Sequence, residues 1–131
     1  FIQAFSKIGL IPDSGGTYTL PRLIGLQRAS ALMMLGDKVS AQEALSMGMV
    51  YKVAAADEYL DLAQKIATQL SVMPTLALAR TKALLNASYQ NDLSAQLALE
   101  DQYQTECGNS YDYREGTAAF LEKRKPQFKG E

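Results

Sequence analysis

Apolar residues recur at three- and four-residue spacing over much of the second half of this chain. Leu60, Ala63, Ala67 and Leu70 mark one face, and Ala95, Leu99, Tyr103 and Cys107 form an i, i+4 row. Tyr113, Thr117, Phe120 and Leu121 make a third stripe. That spacing brings side chains onto one side of a helix, so three amphipathic helices are predicted here, each with an apolar face to bury. Punctuation supports the count. Asp57 can cap the first of these helices, and Pro74 fits the first turn of a further one running to about residue 89. Asn91-Asp92 breaks the pattern and caps again. Gly108-Asn109 ends the long helix, Ser110 caps the last one, and that helix stops before Pro126.

The first half is more broken. Residues 1–12 are mostly apolar with few helix signals, which predicts a strand or a buried extended segment. Gly15 and Gly16 open a short helix to about Leu23, which Pro21 must bend or restart. Residues 26–35, rich in Ala, Leu and Met, read as a helix stopped by Gly36. Ser40 and Glu43 have the spacing of a capping box and open a short helix ending at Gly48. Residues 49–54, M-V-Y-K-V-A, alternate well enough for a short strand. The expected class is mainly α with one or two short strands. No internal repeat, low-complexity tract or flexible linker interrupts it.

Composition narrows the function classes. The 131 residues suffice for one modest domain, and 47% hydrophobic with 21% charged residues is ordinary globular usage. Net charge is −1 with both signs interspersed, so no nucleic-acid partner is expected. No apolar run approaches the about 18 residues of a membrane span. The single cysteine, Cys107, permits no internal disulfide, fits a reducing cytosol, and reads as a small core filler. The chain has no histidine, which removes Ser-His and Cys-His nucleophile pairs and histidine-based metal sites; no metal is expected. It opens on Phe1 inside an apolar segment, which suggests part of a longer protein.

Chemistry must then come from Asp, Glu, Tyr, Lys or backbone groups. Residues 8–17, I-G-L-I-P-D-S-G-G-T, place one carboxylate, Asp13, between an apolar run and a Gly-Gly turn. Asp13 or Ser14 can be the N-cap of the helix that follows, or Asp13 can be an acid-base group. Burial would raise its pKa and nearby helix amides would lower it, while Gly15 and Gly16 would let a ligand approach the backbone. Arg22 and Arg28 are either an anion site or solvated charges. Tyr103, Tyr111 and Tyr113 either line a site or pack a core. Lys123-Arg124-Lys125 is either a phosphate holder or a basic helix end favoured by the dipole. G-G-T is too short for a phosphate loop.

The order of motifs adds a resemblance. I-G-L-I-P-D-S-G-G-T-Y-T-L-P-R-L-I-G is followed by L-G-D-K-V-S-A-Q-E-A-L-S-M-G-M-V and then by Y-R-E-G-T-A-A-F-L-E-K-R-K-P-Q-F. Across essentially all of its length the chain resembles the C-terminal half of the enoyl-CoA hydratase/isomerase (crotonase) superfamily. The resemblance implies the C-terminal part of the α/β crotonase spiral. Residues 1–54 would be the end of the spiral core with the Asp13 loop, and residues 55–131 a helical trimerisation region. It implies a cytoplasmic acyl-CoA enzyme, a homotrimer or dimer of trimers. Coenzyme A would be part of the substrate, with no separate cofactor. Members of the family stabilise a thioester enolate with two backbone amides, both in the half outside this chain. Such donors are worth about 3 kcal/mol each, so the segment alone is expected to be inactive.

The departures from the family pattern also carry information. Typical hydratases have a catalytic glutamate where this chain has Phe5. Hydration wants two carboxylates, one to orient water and one to give a proton. Asp13 stands where hydratases have glycine and where several isomerases of the family place a catalytic aspartate. One such group suffices for a double-bond shift or a ring-epoxide isomerisation. The resemblance further matches Phe120 to a position that packs on adenine and Lys123 to one that reaches phosphate. It therefore favours a CoA-thioester isomerase. An enoyl-CoA hydratase with a displaced acid, and a non-catalytic CoA-covering oligomerisation module, are the other readings.

Overall fold

A computed structural model describes residues 1–131 as a short 3-10 turn, Ala4–Ile8, followed by seven α-helices. They are α1 (Gly16–Ile24), α2 (Leu26–Leu35), α3 (Ala41–Ser46), α4 (Tyr59–Ser71), α5 (Thr75–Ala87), α6 (Leu93–Gly108) and α7 (Tyr111–Glu122). The chain divides into two compact units, Phe1–Tyr59 and Leu60–Glu131.

In the first unit, α1 turns into α2 at Gly25. Leu20 and Ile24, one turn apart on α1, are buried with Ala29 of α2, and Leu32, Met33, Met47 and Met49 pack against them. Each fully buried side chain of this size stabilises by about 1.5–3 kcal/mol, so this small cluster orients the two helices. Pro21 does not end α1, because only one hydrogen bond is forfeited and Leu20 and Ile24 flank it in the core. Gly36 stops α2 with φ of 65°, and a Cβ there would meet the Gln3 carbonyl at 3.3 Å and the Ala4 Cα at 3.4 Å. Only glycine permits the 3-10 turn to lie this close. The capping box is complete: Ser40 Oγ accepts from the Glu43 amide at 3.2 Å, and Glu43 accepts from the Ser40 amide at 2.8 Å.

Neither expected strand forms. The only ladder-like pairing is one antiparallel bridge, Ile2 with Lys38, flanked by reciprocal bonds between Phe1 and Val39 at 2.7 and 2.8 Å. The remainder of residues 1–12 closes on itself: the Leu10 amide donates to the Phe5 carbonyl at 3.0 Å, and Ile8 and Ile11 are exposed. At residues 49–54 the Met49 amide is spent on the Ala44 carbonyl at 2.9 Å, closing α3. A strand needs a neighbour to take its amides, and alternation alone supplies none.

In the second unit, α6 packs on α5 and on α7. Arg80 of α5 forms an ion pair with Glu106 of α6 and lays its guanidinium 4.9 Å from the Tyr103 ring centre. Gln96 ties the other end of the pair, donating to the Leu84 carbonyl at 3.2 Å. Asp92 caps α6 through the Ala95 amide at 2.8 Å, and Ser110 caps α7 through the Tyr113 amide at 3.0 Å. Pro74 precedes α5 as its cap residue instead of entering its first turn, and α5 ends at Ala87.

Two predicted faces are corrected. On α4, Leu62 and Ile66 are half-buried, while Leu60, Ala63, Ala67 and Leu70 are exposed. On α7, Tyr113, Phe120 and Leu121 are exposed and Asp112 and Ala119 are buried. Periodicity finds a face but not what covers it. The side of α7 that is covered is the one that holds the chain's own tail. Asp112, 3% exposed, accepts from the Lys129 amide at 2.7 Å and the Gly130 amide at 2.9 Å. Phe128 lies against Gly116, where a Cβ would meet its ring at 3.4 Å.

Candidate active site

Asp13 stands in a tight turn of the first unit. Its carbonyl accepts the Gly16 amide at 2.8 Å, and the two central residues, Ser14 and Gly15, have φ of 51° and 76°, as in a type I′ turn. This geometry overturns the capping expectation for Asp13 and Ser14 alike. The residue before α1 is Gly15, and no side chain caps the helix. The Asp13 carboxylate instead accepts the Ser14 hydroxyl at 3.0 Å and is exposed. The turn is real, but the carboxylate is not consumed by it. Ser14 adopts the left-handed region at a cost of roughly 1 kcal/mol, which a glycine would avoid.

Around the turn, a Cβ on Gly15 would meet nothing within 4 Å, so the backbone there is open to an approaching group. Gly16 lies beside Gln3, whose side-chain Nε2 would be 3.6 Å from a Cβ, and Gln3 Oε1 is buried with no hydrogen-bond partner. Phe5 is half-buried in the 3-10 turn. No carboxylate therefore occupies that position.

Phe120 and Lys123 belong to the second unit, at the end of α7. Phe120 is 83% exposed, so it is not a packing residue of this chain. It borders a cleft of about 800 Å³ together with Leu76, Thr105, Cys107, Tyr113 and Gly116. Cys107 is half-buried on that cleft wall, not a core filler. Lys123 is the left-handed residue that closes α7, with φ of 54°. Its amide donates to the Phe120 carbonyl at 3.3 Å, and the Arg124 amide donates to the Ala119 carbonyl at 3.0 Å. This is the Schellman arrangement, with lysine where glycine is usual.

The basic cluster divides. Arg124 is held by carboxylates: Nη1 and Nη2 reach Glu115 at 2.6 and 2.9 Å, and Nε reaches Glu122 at 2.6 Å. These hydrogen bonds raise the Arg124 pKa further above the arginine range. Glu115 is pulled down to about 2, first by Arg124 and then by the Gln127 amide at 2.7 Å. Lys123 and Lys125 are exposed cations beside this pair. The other candidates are spoken for locally. Arg22 stacks 3.6 Å over Tyr18 and donates to its carbonyl at 2.8 Å, and Arg28 is exposed on α2. Tyr103 lies under Arg80, and Tyr111 under the Lys129 ammonium at 4.0 Å.

Asp112 and Glu115 were not singled out by the sequence. The signal available was only an acidic first turn after Ser110, which reads as dipole complementarity. No helix is long and apolar enough to cross a membrane, and no group of three or more His, Cys, Asp or Glu is placed to hold a metal ion.

Comparisons with known proteins agree along the whole chain. A family model described as enoyl-CoA hydratase/isomerase matches residues 1–131. The chain is 48% identical over 130 residues to the 1,2-epoxyphenylacetyl-CoA isomerase of Escherichia coli (strain K12), covering 99% of this chain and 50% of that protein. It is 37% identical over 123 residues to the 2,3-dehydroadipyl-CoA hydratase of the same strain, covering 94% and 48%. Among solved structures, an enoyl-CoA hydratase from Polaromonas sp. JS666 superposes with a TM-score of 0.88 at 40% identity, over 98% of this chain and 50% of that one. The chain thus spans about half the length of the relatives it matches, and those relatives are named for more than one reaction. A family match that runs from the first residue to the last, with a relative 48% identical over 130 residues, leads to one assignment: the chain belongs to the enoyl-CoA hydratase/isomerase family.

Proposed function

We propose that this chain is the Asp13-bearing part of a CoA-thioester isomerase, acting by double-bond shift or ring-epoxide isomerisation. The observation that carries this is the state of the Asp13 carboxylate: held in a tight turn, bonded only to the Ser14 hydroxyl, and not used as a helix cap. A carboxylate fixed by its backbone, whose oxygens accept only a neighbouring hydroxyl, can take a proton from one carbon of an acyl chain and return it to another. Two further points support isomerisation over hydration. Phe5 leaves no second carboxylate at that position, and a relative at 48% identity is named as an epoxyphenylacetyl-CoA isomerase.

In this reading the thioester enolate is held by two backbone amides from the half of the enzyme outside this chain. Burial of Asp13 likewise comes from that half. Phe120 stacks on the adenine of coenzyme A and Lys123 meets phosphate. Coenzyme A is substrate, and no separate cofactor is invoked. The apolar side chains left exposed here, Ile8, Ile11 and Phe120 among them, are covered by the rest of the enzyme, by substrate or by neighbouring subunits of a trimer.

The alternative, hydration, draws on the 2,3-dehydroadipyl-CoA hydratase relative. The two separate in one experiment on the complete enzyme. Isomerisation predicts conversion of a 3-enoyl-CoA or a ring-epoxide CoA ester without solvent oxygen, and loss of that conversion in Asp13→Asn. Incorporation of labelled water oxygen into a 2-enoyl-CoA as the main activity would overturn the proposal.

A further inference from the structure

Only two non-glycine residues of the chain have positive φ, Ser14 and Lys123. The first adjoins Asp13. The second is the lysine assigned above to phosphate. Backbone strain persists where surrounding structure over-determines it, and it concentrates at binding sites.

The Lys123 corner is held through the residue that follows it. Arg124 is fixed at all three guanidinium nitrogens: Glu115 takes Nη1 and Nη2 as a fork, and Glu122 takes Nε. Glu115 has only 11% of its side chain exposed and also accepts the Gln127 amide. It thus ties both the residue after Lys123 and the start of the tail back to the middle of α7. Bidentate pairing fixes geometry as well as distance. Arg124 has its charge satisfied, whereas Lys123 forms no ion pair and stays exposed.

We infer that Glu115 is a positioning residue for Lys123: by gripping Arg124 it locks the left-handed corner from which the Lys123 ammonium meets a phosphate of the CoA substrate. This rests on the phosphate assignment of Lys123. The fork also separates the roles of two adjacent cations, one structural and one left to the ligand.

The test uses the complete enzyme with two substrates carrying the same acyl group, an acyl-CoA and an acyl-pantetheine that lacks phosphate. Lys123→Ala is expected to raise KM for acyl-CoA about tenfold, since one charge-assisted contact is lost. Glu115→Gln is expected to raise KM about fivefold, with no added effect in the double variant, as coupled residues behave. Neither variant should alter KM for acyl-pantetheine. An unchanged acyl-CoA KM in Lys123→Ala overturns the phosphate assignment itself. A raised KM in Lys123→Ala with none in Glu115→Gln overturns the positioning role alone, as does an equal rise on both substrates in Glu115→Gln. Should Glu115→Gln not fold, Arg124→Gln at the more exposed partner tests the same link. A rise confined to acyl-CoA supports it, and an unchanged KM overturns it.

Discussion

Asp13 and Gly16 are joined through the main chain, carbonyl to amide at 2.8 Å, and this single bond leaves the Asp13 carboxylate outside the hydrogen bonding of α1. A capping aspartate would have its oxygens occupied by helix amides. Here they are occupied only by the neighbouring Ser14 hydroxyl. Structural and chemical roles of the same residue are therefore separable by substitution.

Asp13→Asn in the complete enzyme should lower kcat by about 10²–10⁴-fold, the usual contribution of a positioned acid-base group. Because no cap is lost, stability should change by less than about 0.5 kcal/mol. Steady-state kinetics and urea unfolding on the same preparation check both parts. A large loss of stability would return Asp13 to a structural role.

Phe120→Ala should leave the fold almost untouched, since the ring is exposed. If the ring stacks on adenine, KM for acyl-CoA should rise roughly tenfold, as removal of a base-stacking aromatic costs about 1–3 kcal/mol. Equal thermal midpoints with unequal KM values would distinguish stacking from packing.

Gly36→Ala should disturb the first unit. The left-handed backbone costs roughly 1 kcal/mol, and the new methyl meets main-chain atoms of Gln3 and Ala4, which cannot swing aside. The 3-10 turn would shift, and with it the segment leading to Asp13. A lowered melting temperature and lowered activity are expected together.

Asp112→Ala should release the tail. It leaves the Lys129 and Gly130 amides without their acceptor, costing roughly 3 kcal/mol for two bonds to a charged group. Hydrogen exchange at those two amides, and proteolysis between residues 124 and 131, should quicken while α5 and α6 stay protected.

Glu115 supplies a pH signature. Its pKa falls from 4.5 to about 2 on folding, through Arg124 and the Gln127 amide. A depressed carboxylate adds stability that is present above 4.5 and lost as pH falls toward 2. Protection of the tail should fade over that window, and Glu115→Gln should remove most of the dependence. Glu43, lowered by its Ser40 bonds, acts with the same sign on α3.

Local signals in this chain were legible where the partner of a group lies within a few residues. Ser40 with Glu43, Asp92 before α6, Ser110 before α7 and Gly36 after α2 all meet that condition, and all form as their spacing predicts. The expected strands do not form, because a strand is completed by a distant neighbour. The stripes on α4 and α7 are exposed because a face is defined by what covers it.

The site divides the same way. The sequence by itself determined that a lone aspartate precedes a Gly-Gly helix start, that no histidine is present, and that the motif order is that of the enoyl-CoA hydratase/isomerase family. Tertiary structure decided that Phe120 is exposed and that Arg124 is bound by Glu115 while Lys123 is not. The physical reason is reach. A cap or a turn is closed by hydrogen bonds spanning three or four residues, which spacing reveals. The Glu115–Arg124 fork spans nine residues and the Asp112–Gly130 bond eighteen, and only a folded chain brings such groups together.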